Sequence, residues 1–274
     1  MMKRAWRKMI LPAVGLLIIC FHMAPFYIAL TLSLKKKTDF SSRWLMPDYL
    51  YLDNFRIGFI EAELARAFTN SIVITVLSTA LIVVLGSMAA YPLSRVKSRM
   101  NKAVLMLVLA VMMIPTLSVI VPLYSIMSEL NAVNTYWGIV LLLTTYNCPM
   151  AIFLYTNFIS SIPKDLDEAA TVDGCGSFGV FFRIILPQLK PITATVVILL
   201  GVKNWNDFEF ALYFLQKPVK ETITLAIRAF FSEYTADVNV AAAVAIIAVI
   251  PMVVLFFVLQ KFFVSGLMEG AVKS

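Results

Sequence analysis

The chain has 274 residues and a formal net charge of +7, from 23 Lys and Arg against 16 Asp and Glu. It is 61% hydrophobic and only 14% charged, with a mean hydropathy of +0.87. A soluble domain is roughly half apolar and about a quarter charged, so this balance excludes a soluble enzyme and a disordered chain.

The apolar residues fall in long blocks, which makes an all-α, polytopic membrane protein the class that fits. No polar stretch is long enough to bury a soluble core of its own. Residues 1–9 carry Lys3, Arg4, Arg7 and Lys8, and an apolar run follows from Ile10 to Leu34. A basic start and an apolar core would suit a signal peptide. The run is too long for one, however, and the bulky Leu17, Ile18 and Ile19 before Cys20 do not suit a lipoprotein cleavage site. It is read as a retained first span. Residues 35–66 are polar and mixed in charge, and they close an N-terminal region, 1–66, ahead of a main membrane domain, 67–274.

Five more spans are predicted over 67–93, 103–128, 137–160, 191–215 and 239–263. Each has about the 20 residues that cross a hydrocarbon core. Pro25, Pro92, Pro115, Pro122, Pro149 and Pro251 lie in or near spans, so kinked or locally broken helices are expected. Broken helices suit a channel or transporter better than an anchor. Six spans put both termini on one side of the membrane. The connection 94–102 holds Arg95, Lys97, Arg99 and Lys102, whereas 129–136 holds neither Lys nor Arg. Basic short loops stay cytoplasmic, which predicts cytoplasmic termini and a cytoplasmic loop over 161–190. The run Lys35–Lys37 counts against that orientation. The positive charge is thus read as membrane topology and not as affinity for nucleic acid. Cys20, Cys148 and Cys175 are odd in number and lack paired spacing, so neither a disulfide framework nor a metal site is expected.

The loop 161–190 carries the most local information. Pro163 suits the first turn of a helix, and Ser160 and Ser161 are capping types. Asp165, Asp167 and Glu168 then fall near the positive end of the helix dipole. Ile162, Leu166, Ala169 and Ala170 share one face. Asp173-Gly174 is a turn dipeptide in which Gly174 can take the left-handed conformation that ends a helix. Phe178, Phe181, Phe182 and Ile185 begin a second helical pattern, and Pro187 and Pro191 bend the chain into the fifth span. The competing reading is an amphipathic helix resting on lipid. Its acidic composition argues against that, because an anionic leaflet favours basic helices.

Glu168-Ala169-Ala170, Asp173-Gly174, Ile184, Leu186-Pro187 and Pro191 together resemble the EAA motif of ABC-importer permease subunits. NSIVIT (70–75), AAYPLSR (89–95), NTYWGIVL (134–141), IPKDLDEAATVDG (162–174), WNDFEFAL (205–212) and GLMEGAVK (266–273) are similar to the carbohydrate-uptake branch, in particular to the second permease of maltose-type systems. Cys175 departs from the more usual alanine, a small-for-small change.

The resemblance implies six spans with a cytoplasmic coupling helix between the fourth and fifth. It implies docking of Glu168, Ala169, Ala170, Asp173, Gly174 and Pro187 on an ATPase. It further implies two cytoplasmic ATPase subunits, a second permease as heterodimer partner, an extracytoplasmic solute-binding protein, a sugar substrate and residence in a bacterial cytoplasmic membrane. The chain has no GxxxxGK[ST] phosphate loop. It is therefore expected to be no enzyme and to bind no cofactor, ATP and Mg being held by the partner ATPases.

Asn204, Trp205, Asn206, Asp207 and Glu209, beside Lys203, form a second candidate site. Polar groups inside a span are expensive and usually face the bundle interior or a water-filled path. Amide, carboxylate and indole chemistry suits a sugar. An interhelical polar clamp, for example Lys203 with Asp207, explains the same residues. His22 stands alone in the first span and reads as a packing or hydrogen-bonding residue and not as a metal ligand. An intramembrane enzyme would need a cluster of His, Asp and Glu, and a channel would need no docking loop. Within the transporter class, a polyol or glycerol phosphate remains the alternative solute.

Overall fold

The computed structural model describes residues 2–61, 63–233 and 237–271, with side chains placed for 12–60, 63–228 and 237–260. Among them every regular element is helical: α1 (Met2–Ser33), α2 (Asp53–Glu61), α3 (Leu64–Arg95), α4 (Arg99–Val111), α5 (Thr116–Glu129) and α6 (Tyr136–Ser161) come first. Next come α7 (Asp165–Val172), α8 (Ser177–Gln188), α9 (Lys190–Trp205), α10 (Glu209–Phe214), α11 (Ile223–Glu233) and α12 (Val238–Ala271), with a short 3₁₀ turn at Pro218–Lys220. Among the described residues four helices are long and apolar enough to cross a membrane, and six segments qualify if each of two bent pairs is one span. The bent pairs are α4 with α5, at 102°, and α8 with α9, at 73°. The GLMEGAVK tail lies outside the residues with described side chains; its backbone continues α12 to Ala271.

Proline acts differently from site to site. Pro92, Pro149 and Pro251 sit inside helices that continue through them. Pro115 instead stands at the N-cap of α5 with an extended backbone, where α4 has already ended. The predicted third span is therefore two helices. The predicted fifth span, 191–215, also differs: α9 stops at Trp205 and a separate short helix begins at Glu209. Asp207, one residue before the N-cap Phe208, supports this restart: its carboxylate accepts from the backbone N–H groups of Phe210 (3.4 Å) and Ala211 (2.9 Å).

The chain divides into two compact units, one of Met1–Ala65 with Ala226–Ile250 and one of Arg66–Leu225 with Pro251–Ser274. In the first unit, α1 exposes its apolar flank, including Leu17, Phe21 and Phe26, as a lipid-facing helix would. The lysine run after it is tied down locally. Lys35 is buried and donates to Ser41 Oγ at 2.6 Å and to the Ser42 carbonyl at 2.7 Å. Lys36 lies over the rings of Tyr49 and Tyr51, and Lys37 pairs with Asp237 at 3.5 Å. Asn54 and Asn239 both donate to the Lys35 carbonyl, Asn54 also to that of Ser33. Hydrogen bonds from Ser41 and Tyr49 hold the carboxyl of Asp39 down at about 2.

The second unit carries two apolar cores. One gathers Ile74 of α3, Met127 of α5, Ile139 and Leu143 of α6, and Phe210 and Phe214 of α10. Its polar rim explains two of the sequence stretches. Asn70 donates to the carbonyls of Val219 and Glu221 and accepts from Tyr136 Oη at 2.7 Å. Asn134, at φ 60°, accepts from the backbone N–H groups of Gln216 and Lys217. Thr135 caps α6 by accepting from Gly138 N. A side chain at Gly138 would run into the Ala132 carbonyl oxygen, so this turn requires glycine. The other core surrounds the loop described next.

Candidate functional site

The loop after α6 folds as a hairpin of two short helices. α6 continues through Ser161, and the hydroxyls of Ser160 and Ser161 donate to the carbonyls of Asn157 and Phe158 in their own helix. They do not cap the next one. Pro163 occupies the link, and α7 starts after Lys164 with Asp165, Asp167 and Glu168 in its first turn. α7 ends in a Schellman motif. Gly174 adopts φ 88°, Cys175 N donates to the Ala170 carbonyl at 2.9 Å, and Gly174 N donates to that of Thr171 at 3.0 Å. The turn predicted from Asp173-Gly174 thus has the geometry that only glycine takes without strain.

α8 contains a π-helical turn over Phe181–Ile185, where Leu186 N reaches back to the Phe181 carbonyl. Pro187 cannot donate to the Arg183 carbonyl, so a normal turn is broken there and the helix widens. Val180, Phe181, Ile185 and Leu189 are buried together with Ala90 of α3, Tyr155 and Ile159 of α6, and Val196 and Leu200 of α9. The loop is therefore sewn into three long helices.

Its outer face is open. Glu168, Ala169, Asp173, Gly174 and Pro187 are exposed, as are Val172 at 87% and Phe178 at 75%. Of the predicted apolar face, Ile162 and Ala170 are buried, but Leu166 and Ala169 point outward. The difference comes from the tether of α7, which is polar. Arg95 at the end of α3 donates through Nε and Nη2 to the two carboxylate oxygens of Asp167, at 2.9 and 3.0 Å. Its Nη1 donates to the carbonyls of Ile159 and Ile162, at 3.1 and 2.9 Å. Tyr91 Oη also donates to Asp167 at 3.3 Å. Tyr91, Pro92 and Arg95 line a cavity of about 370 Å³ with Ser177, Phe178 and Phe181. Sequence reasoning counted Arg95 only as a topological charge. The available signal was the acidic triplet 165, 167 and 168, which needed a basic partner from a neighbouring helix end.

The second candidate group is split by the structure. Asn204 is buried and donates to Ser78 Oγ (3.0 Å) and Thr79 Oγ1 (3.1 Å) of α3, while accepting from Asn147 Nδ2 of α6 at 2.8 Å. It clamps three helices. Trp205 is buried edge-on against Phe68. Asp207 supports the start of α10 through its carboxylate, and its carbonyl accepts from Thr224. Lys203 does not pair with Asp207; its ammonium lies 5.1 Å from the Tyr146 ring centroid. Asn206 and Glu209 are exposed, Asn206 bonding back to the Val202 carbonyl. His22 bonds to the Ile18 carbonyl of its own helix. Among the described residues no three His, Cys, Asp or Glu converge as metal ligands would.

Residues 82–269 match the family described as binding-protein-dependent transport system inner membrane component. The chain belongs to this family. It is thus a multi-pass component of a transport system that works with a binding protein. Among curated members it is 44% identical to the melibiose/raffinose/stachyose import permease protein MelC of Bacillus subtilis (strain 168), over 96% of each chain. It is 35% identical, over 97% of each chain, to the probable starch degradation products transport system permease protein AmyC of Thermoanaerobacterium thermosulfurigenes. A chain in the crystal structure of a bacterial ABC transporter involved in the import of the acidic polysaccharide alginate shares the fold, with a TM-score of 0.80 and 19% identity over 95% of this chain and 97% of that one.

Proposed function

We propose that this permease component forms half of the membrane pathway of an ABC importer for a sugar or oligosaccharide, and that ATP hydrolysis reaches it through α7. The observation that carries the coupling role is the loop itself: a short helix, rigidly stopped at Gly174 and anchored by Asp167, whose Glu168, Ala169 and Asp173 remain open. A charge-assisted bond to Glu168 would contribute about 1.5–3 kcal/mol to docking. Ala169 permits close approach of a partner backbone, Gly174 sets the angle of the hairpin, and Pro187 shapes the helix behind it. Ala170 faces inward and keeps the hairpin seated.

In this reading the partners are a second permease, two cytoplasmic ATPase subunits and an extracytoplasmic solute-binding protein. ATP and Mg bind the ATPases, and this chain catalyses no reaction. Counting each bent pair as one span gives six, with both termini and α7 cytoplasmic, in keeping with the basic 94–102 connection. The sugar assignment is supported by the substrates named for MelC and AmyC. Of the polar residues near the end of α9, Asn206, Asp207 and Glu209 stand at the helix break and would meet a passing solute, whereas Asn204 and Trp205 hold helices together.

The test is reconstitution of the affinity-purified complex in liposomes with ATP supplied to the ATPase side. The expected result is a complex containing a second permease and an ATPase, with ATP-dependent, binding-protein-dependent uptake of labelled raffinose. Purification of the chain without an ATPase would overturn the coupling role. Uptake of a polyol or glycerol phosphate with no uptake of any sugar would overturn the substrate class.

A further inference from the structure

The guanidinium of Arg95 joins three elements that the chain otherwise connects only in part. It bonds both carboxylate oxygens of Asp167 in the first turn of α7 and two carbonyls at the end of α6. Arg95 itself is the last residue of α3. In return, Lys164 Nζ donates to the Arg95 carbonyl at 3.3 Å. The two side chains of the ion pair are only 9% and 16% exposed, so the pair is shielded from screening far better than a surface bridge. Its fork geometry uses Arg in the one way Lys cannot copy. The two charges of the ion pair also sit at favourable helix ends, the Arg95 cation at the C-termini of α3 and α6 and the Asp167 anion at the N-terminus of α7.

The chain path sharpens the point. α7 is covalently continuous with α6 through 162–164 and with α8 through the Gly174 turn. Nothing covalent links it to α3. A displacement applied to the open face of α7 therefore reaches α3 through apolar packing and through polar bonds: the long Tyr91–Asp167 bond at 3.3 Å, the Lys164 bond to the Arg95 carbonyl at 3.3 Å, and the two shorter, charge-assisted bonds of the Arg95 guanidinium to Asp167. α3 runs from there to Leu64 and carries Ser78 and Thr79, which hold Asn204 of α9.

From this juxtaposition we infer that Arg95 is a positioning residue for transport: it makes α3 move as one body with α7, so that the stroke of the ATPase enters the bundle through α3 as well as through α6 and α8. The inference rests on the coupling role proposed above for α7. Apolar packing is non-directional and would let α7 slide along α3; a four-bonded guanidinium does not.

The experiment uses the full complex in liposomes, with the native cysteines replaced by serine and spin labels at Val172→Cys on α7 and Met88→Cys on α3, both exposed positions. Arg95→Gln, Asp167→Asn, their double variant and Arg95→Lys are compared with the parent. The parent is expected to give one narrow inter-label distance, the same with and without a non-hydrolysable ATP analogue. Arg95→Gln and Asp167→Asn are expected to give a distance that broadens and shifts with the analogue, and raffinose uptake per ATP hydrolysed reduced about fivefold. The double variant should be no worse than either single, as for two halves of one unit, and Arg95→Lys should fall between. An unshifted distance in Arg95→Gln, an unchanged uptake-to-hydrolysis ratio, or singles that add in the double overturns the inference. So does a lower protein level with both readouts intact, which marks a merely structural bridge. A parent complex that takes up no raffinose refutes the sugar reading alone, and the distances still decide the role of Arg95.

Discussion

Asn204 illustrates how one buried amide holds several helices. It spends both side-chain groups on neighbours: Ser78 and Thr79 of α3 and Asn147 of α6. Interhelical polar bonds in membranes are individually modest, about 0.6 to 2 kcal/mol, but here one residue makes three. Asn147 Oδ1 already lacks a partner, so removing Asn204 would leave that amide with none of its described side-chain bonds. Asn204→Ala is therefore expected to destabilise the protein by about 1–2 kcal/mol. It should lower the melting temperature of the purified complex without altering which sugar competes for uptake. Asn206→Ala, at an exposed position, should leave the melting temperature alone. A changed sugar preference with unchanged stability in Asn204→Ala would return this residue to the solute pathway. The polarity of 203–209 was legible in the sequence. Its division of labour was not, because a span predicted over 191–215 puts all five residues in one continuous helix, whereas a new one starts at Glu209, supported by Asp207.

At the scale of elements, α7 was the most legible piece. Its acidic first turn and the Asp173-Gly174 stop are local signals, and local chemistry decides them. Its orientation was not legible, since Leu166 and Ala169 read as an inward face until Arg95 is known to hold Asp167 from the other side. Pro187 and Pro191 announced the bend into α9, which the structure shows at 73°; the π turn that widens α8 before Pro187 was hidden. With the open face now defined, Glu168→Lys reverses the charge a docking partner would meet. Gly174→Asp forces a side chain into φ 88°, with no neighbour within 4 Å to clash and a strain of about 1–2 kcal/mol confined to the turn. Both variants should insert at normal levels, yet show at most about a tenth of the parent's uptake. Normal uptake in both would remove α7 from the coupling role.

For the molecule as a whole, hydropathy alone carried the all-helical, multi-pass class, because long apolar blocks have few other solutions. The break at Pro115 was signalled, but its 102° angle depends on packing that no single residue encodes. The run Lys35–Lys37 spoke against cytoplasmic termini when counted as charge. Folded, each lysine has a partner in its own unit: the Ser41 hydroxyl and Ser42 carbonyl for buried Lys35, two tyrosine rings for Lys36, and Asp237 for Lys37. That gives the run a structural reason to lie outside despite the topological rule. Single cysteines at Val172 and at Phe40, both highly exposed, test this directly in a background lacking the native thiols. A membrane-impermeant maleimide applied to intact cells should label the Phe40→Cys protein and spare Val172→Cys until the membrane is opened. The reverse pattern would invert the topology and take α7 away from any cytoplasmic partner.

The 73° knee between α8 and α9 gives the loop a mechanical character. A knee that keeps its angle turns a push on one arm into travel of the other in a different direction. The 16 residues of α9 make an arm of about 24 Å. A tilt of only about 10° at the knee would carry its far end, where Asn204 sits, through about 4 Å. Movements at the loop too small to disturb its packing would thus arrive in the middle of the bundle as displacements the size of a side chain.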